Sequence, residues 1–196
     1  MRTEPSEIAH TAARLVVEEG LEYGAAKHQA IKQLGLPNRT ALPTNEELEE
    51  AVAEYIALFC AESQPVELLA LRQLALVWMT RLAPFRPYLG GAVWHGTATR
   101  HSDIFIQLFC DDEKSAEIAL IDQGVRYQPG TLKGLHGKTV PVLSIQSRCE
   151  ALNEMIGIHL TVYDLDDVRG ALLADSKKRP PRGDLAAVRR LLHDSP

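Results

Sequence analysis

The sequence predicts an α+β protein, and the prediction rests on a change of hydrophobic period partway along its 196 residues. As far as Pro87, apolar residues recur every three or four positions, as on helices. Beyond Tyr88, alternating segments take over, as on half-buried strands. A hydrophobic content of 45% supplies an ordinary packed core. Helices first and a helix-covered mixed sheet second is the order of an α+β fold.

Ser6 is placed to cap a first helix, with Ile8, Ala12, Leu15 and Val16 on one face and a stop near Gly20. A second helix, from about Gly24 to Leu34, ends at Gly35, and Pro37 bars its continuation. Thr44 and Glu47 have capping-box spacing, followed by a stripe of Leu48, Val52, Tyr55, Ile56 and Phe59. Pro65 suits the first turn of a fourth helix, whose face is Leu68, Leu71, Ala75, Trp78 and Leu82 and which Pro84 and Pro87 close. Strands are expected at Ile104 to Phe109, Val125 to Gln128, Val140 to Ile145 and Ile158 to Leu165. Asp111 or Asp112 caps a helix running to about Gln123, and Asp184 starts a final helix with Leu185, Val188 and Leu192 inward. The basic segment Lys177 to Arg182 reads as a solvated connector. The division expected is a helical region 1–87 and an α+β module 88–196, which can share one core because the fourth helix runs almost directly into the next motif.

Charge and cysteine content narrow the classes. A formal net charge of -5, with acid concentrated at Glu46, Glu47, Glu49 and Glu50, argues against general nucleic-acid binding. No apolar run is long enough for a transmembrane helix, and the polar N-terminus lacks a signal-peptide core. Three widely spaced cysteines, Cys60, Cys110 and Cys149, fit reduced thiols and a cytoplasmic location.

The chemistry is expected between Tyr88 and Ile106. Gly90-Gly91 lets backbone approach a triphosphate, and a short helix after it would aim its positive end at the phosphates. Asp103, at the start of the next strand, can hold Mg²⁺ bridging those phosphates. Arg100 and Ser102 stand beside it in sequence as further phosphate contacts. The stretch resembles the signature of the nucleotidyltransferase (polymerase-β-like) superfamily: paired glycines, a spacer, then Asp-x-Asp on a strand. Gly90-Gly91-Ala92-Val93 is similar to CCA-adding enzymes, and Ser102-Asp103-Ile104 to the minimal nucleotidyltransferases.

The resemblance implies nucleotidyl transfer by two Mg²⁺ ions held by about three carboxylates, with a nucleoside triphosphate as substrate. Residues i and i+2 of a strand share a face, so Asp-x-Asp aims both carboxylates at one metal pair. Here Asp103 is followed at i+2 by Phe105, which cannot coordinate Mg²⁺. Asp164, near the end of a later strand, is the candidate third carboxylate and would serve with Asp103 as catalytic and metal-ligating residue. The expectation is a nucleotide-binding protein with impaired or absent Mg²⁺-dependent transfer. One alternative is an active enzyme using Asp103 and Asp164; another is a non-enzymatic regulatory protein whose helices bind a protein partner. His95, His101 and Asp103 offer a transition-metal set, against the commoner structural role of histidines. Trp94 reads as packing rather than a base-stacking platform.

Gly134-Leu135-His136-Gly137-Lys138-Thr139 resembles the phosphate loop of UDP-N-acetylmuramate–amino acid ligases. Such a loop needs a helix after it, and Val140 to Ile145 reads as a strand, so a glycine-rich hairpin is expected instead.

Overall fold

The structure, a computed structural model, describes residues 5–134, 137–168 and 180–193. It is an α+β fold with seven α-helices and a six-stranded mixed sheet among those residues. The chain divides into two compact units, residues 1–68 with 97–101, and 69–96 with 102–196. The break therefore falls inside the fourth helix and not at residue 87, because the later turns of that helix pack on the sheet.

The first unit is helical. It holds α1 (Pro5–Glu19), α2 (Tyr23–Gln33), α3 (Asn45–Phe59) and the start of α4 (Gln64–Arg81). Ile8, Ala12 and Leu15 of α1 are buried in one cluster with Ala30 and Ile31 of α2 and Leu48, Val52 and Ile56 of α3. Ser6 is not the cap of α1; the helix already includes Pro5, and Ser6 lies in its first turn with its carbonyl 2.7 Å from His10 Nδ1. At the end of α2 Leu36 N–H donates to Ile31 O at 3.0 Å and Gly35 N–H to Lys32 O at 3.1 Å, a Schellman closure that needs the φ of 65° at Gly35. The capping box of α3 forms in both directions, with Glu47 N–H on Thr44 Oγ1 at 3.1 Å and Thr44 N–H on Glu47 Oε2 at 2.6 Å. Phe59 departs from the expected buried stripe: it ends the helix at the surface with its ring 4.6 Å from that of Tyr55.

The second unit is built on a sheet of order β3-β4-β5-β2-β1-β6. The strands are β1 (Tyr88–Gly90), β2 (Ile104–Cys110), β3 (Gln128–Lys133), β4 (Thr139–Cys149), β5 (Glu154–Asp164) and β6 (Gly183–Asp184). The central pair β2–β5 is parallel and the other pairs are antiparallel. Neither short strand, β1 or β6, is legible as a period-two pattern, since three and two residues are too few to show one. One sheet face is dry: Ile104, Ile106, Leu108, Ile158 and Leu160 are fully buried, and Trp78 of α4 donates its Nε1–H to Ser147 Oγ at 2.9 Å. Among the described residues, the other face is covered at one end. There Phe109, Tyr163 and Val140 are packed over by Tyr88, Leu165 and Val168.

Asp112 Oδ1 accepts the Lys114 N–H and opens α6 (Lys114–Asp122). Asp184 Oδ1 accepts the Ala187 N–H and opens the last helix, α7 (Leu185–His193), whose Val188 is buried. No helix among the described residues is long and apolar enough to cross a membrane.

Candidate functional site

Gly90 ends β1 in extended backbone, and Gly91, at φ 65°, turns the chain into α5 (Gly91–His95). An L side chain rarely adopts that φ, so the left-handed turn favours glycine at this position. The helix has five residues, little more than one turn, and too few aligned peptides to deliver the expected positive end. Its last carbonyls are held by Arg72, whose Nε donates to Val93 O at 3.1 Å and Nη2 to Trp94 O at 3.3 Å. Trp94 serves packing: its ring covers Gly183 and its Nε1–H donates to Pro180 O at 2.9 Å.

Strand register converts this turn into one end of a row. Gly90 pairs with Phe105, Phe105 with His159, His159 with Ser144, and Ser144 with Gln128. Five strands thus place these residues side by side, where the uncovered end of the sheet leaves Phe105, His159 and Ser144 half-buried. The Phe105 ring stacks on the His159 imidazole at 5.0 Å between centroids and 26° between planes.

Asp103 stands one residue before β2, below this row. Its Oδ1 accepts the Gly157 backbone N–H at 3.2 Å and its Oδ2 lies 3.0 Å from His159 Nε2. The other ring nitrogen, Nδ1, is 2.9 Å from Ser144 Oγ. A Cβ on Gly157 would come within 2.5 Å of Asp103 Oδ1, so the close approach depends on glycine. The hydrogen bond from His159 holds the Asp103 carboxyl below its ordinary value of 3.8, against the opposing effect of partial burial; the field of the ring when it is protonated and the Gly157 N–H act in the same direction. An ionised carboxylate only accepts, so His159 carries its proton on Nε2. Whenever the ring is neutral, Nδ1 is the acceptor and Ser144 the donor. The tautomer is dictated by Asp103.

The next row holds a cation. Arg182 Nη1 donates to Gln107 Oε1, and the buried Arg182 Nε has no hydrogen-bond partner among the described residues. Burial lowers its pKa. The connector reading is thus corrected at Arg182, which folds onto the sheet; Lys177, Lys178 and Arg179 lie outside the described residues.

The expected carboxylate partner of Asp103 does not meet it. Asp164 ends β5 opposite Cys110, whereas Asp103 stands at the level of Gly157. Seven strand residues separate those levels, roughly 23 Å at about 3.3 Å each, so the two carboxylates cannot share a metal. Asp164 instead accepts the Asp166 N–H at 2.9 Å and turns the chain out of the strand. Ser102, half-buried, precedes Asp103 in the second unit, while Arg100 belongs to the first, where its backbone N–H donates to Glu67 Oε2 at 3.0 Å. His101 lies in the first unit, its backbone against Gly20, and His95 in the second. No group of three or more His, Cys, Asp or Glu side chains is placed to hold a metal ion among the described residues. The donor set therefore does not fit the Mg²⁺ pair: the places flanking Asp103 on its face are Phe105 and His159, neither a carboxylate.

The glycine-rich hexapeptide joins β3 to β4. Lys133 pairs with Thr139, and Gly134 N–H donates to Lys138 O at 2.7 Å. It is a hairpin, followed by strand and not by helix; Leu135 and His136 lie outside the described residues. Sequence reasoning did not single out Ser144, Gly157 or His159, whose roles come from pairing across strands, and it read Arg182 only as part of a solvated connector. Compared with protein-family models, curated proteins and solved structures, the chain gives no match.

Proposed function

We propose that this protein is a nucleotidyltransferase-type scaffold that binds a nucleoside triphosphate without metal-dependent transfer. The observation that carries the reading is the occupancy of the places beside Asp103: a phenyl ring at i+2 on β2 and an imidazole next to it on β5. Two-metal transfer needs carboxylates there, and a stacked ring offers the ion no oxygen. Further support is the order of parts: a strand ending in Gly90, a left-handed Gly91, a short helix, and a strand that opens one residue after Asp103.

Arg182, which lies one row from Phe105, is the cation to meet phosphate charge, and its Nε has no hydrogen-bond partner among the described residues. A guanidinium binds phosphate through several N–H groups and stays protonated despite burial, so it serves without a metal. The separation of Asp103 and Asp164 along β5 supports this reading over an active enzyme that uses the two carboxylates together.

Titration with ATP and with GTP, each with excess EDTA and with Mg²⁺, tests the proposal by calorimetry. Equal binding in both conditions, weakened at least about tenfold in Arg182→Gln by loss of a charge-assisted contact, is expected. Binding that requires Mg²⁺, or no binding in either condition, refutes it.

A further inference from the structure

We propose that Ser144 is a nucleophile, activated by His159 and positioned by Asp103, that takes an acyl group from small uncharged carboxylic esters. The inference goes beyond nucleotide binding and does not depend on it, since no step uses a phosphate or a metal.

The argument starts from the proton. Asp103 Oδ2 accepts from His159 Nε2 at 3.0 Å, so Nδ1 is left as a base, 2.9 Å from the Ser144 hydroxyl. A hydroxyl is a weak nucleophile until an adjacent base takes its proton, and the base works only in the right tautomer. Three features hold that tautomer. The Gly157 N–H pins the second carboxylate oxygen, the missing Cβ of Gly157 makes room for it, and the Phe105 ring fixes the imidazole plane. Ser144 is half-buried, at the end of the sheet face that the described residues leave open.

Charge selects the electrophile. The Asp103 side chain, 48% exposed, is an anion beside His159, and Arg182 is a cation one row along, so an ester with no charge near its carbonyl is held off by neither. In the acylation step a bond forms between Ser144 Oγ and the ester carbonyl carbon. The hydroxyl proton passes to His159 Nδ1, and the carbon–oxygen bond to the leaving alcohol breaks as that alcohol takes the proton from Nδ1. Water then attacks the acyl-serine by the same route, giving the carboxylic acid and restoring the hydroxyl. No oxidant, reductant or further reactant is consumed.

The test uses the full chain and a fluorophosphonate, an uncharged electrophile in which attack by Oγ forms the O–P bond and expels fluoride. Intact and peptide mass spectrometry should locate one adduct, on Ser144. Ser144→Ala should carry none there. His159→Gln should react about 10²-fold more slowly, the loss of a general base. Asp103→Asn, whose amide can donate to Nε2 and so favours the wrong tautomer, should also slow by about 10²-fold with its melting temperature held within a few degrees, while Asp103→Glu restores part of the rate. Hydrolysis of p-nitrophenyl acetate should follow the same order. Absence of an adduct at Ser144 in the folded protein overturns the proposal, as does unchanged labelling in folded His159→Gln and Asp103→Asn. Nucleotide titration of the same samples reads out separately, so failure of one reading leaves the other standing.

Discussion

Phe105→Asp restores the Asp-x-Asp spacing, and its consequences can be worked from the geometry. Phe105 is half-buried, so removing its ring forfeits roughly half of the 1.5–3 kcal/mol of a fully buried large side chain, about 1 kcal/mol. The introduced carboxylate stands two strand residues from Asp103, roughly 6.6 Å along the same face. Like charges at that distance repel by about 0.6 kcal/mol in water, before salt screening. The sum is about 1.5–2 kcal/mol, a fall in Tm of roughly 4–8 °C for units of this size. Against this, Asp103, the new carboxylate and His159 would form a two-oxygen, one-imidazole set that suits Mn²⁺. An affinity of about 1 mM, the weak end for oxygen-ligated cations, stabilises by about 1.4 kcal/mol at about 10 mM metal. The assay is thermal unfolding of the wild type and variant with and without MnCl₂. The expected result is a variant that loses stability in EDTA and regains most of it with Mn²⁺, beside a wild type that does not respond. A folded variant indifferent to Mn²⁺ would refute the assignment of this face as a depleted metal site. A loss above about 4 kcal/mol would show the ring to be core, as only burial of an unpaired charge or a large cavity destabilises so much.

Gly183→Ala would drive a methyl into the Trp94 ring, which is anchored through Pro180, so a loss of about 1–3 kcal/mol with a change in tryptophan fluorescence is expected on unfolding and emission measurements. Thr44→Ala removes the acceptor for the Glu47 N–H and should cost about 1 kcal/mol in urea unfolding, with Thr44→Ser close to wild type. Because the folded-state pKa of Asp103 lies below 3.8, its stabilising contribution is present above that value and is lost as pH falls through the lower, folded one. Acid unfolding monitored between about pH 5 and pH 2 should therefore be less steep in Asp103→Asn; an identical profile would mean that the Asp103–His159 contact is not made in solution.

Much of this organisation was legible locally. Helix ends at Gly20, Gly35 and Thr44 carry their own chemistry, a left-handed glycine or a capping oxygen, which acts within four residues whatever the tertiary context. The alternation from Ile104 to Phe109 marks β2 and places Asp103 at its start, and Phe105 at i+2 already removes one carboxylate from that face. The hairpin over Gly134 to Thr139 is readable from the strand pattern behind it. Ser6 misled because serine at a helix start is a cap only when the helix has not yet begun.

Tertiary structure decided the rest. Gly157 and His159 reach Asp103 across 54 and 56 residues of chain, because β5 lies parallel to β2 in one register. That register depends on burying Ile104, Ile106 and Leu108 beside Ile158, Leu160 and Val162, a sum over many side chains that no local window contains. The same register moves Asp164 to the far end of the sheet, so a carboxylate plausible in sequence is removed from the site and an unremarked Ser–His pair is delivered to it. Residue types and local periods are written along the chain, but which of them meet is fixed by long-range packing alone.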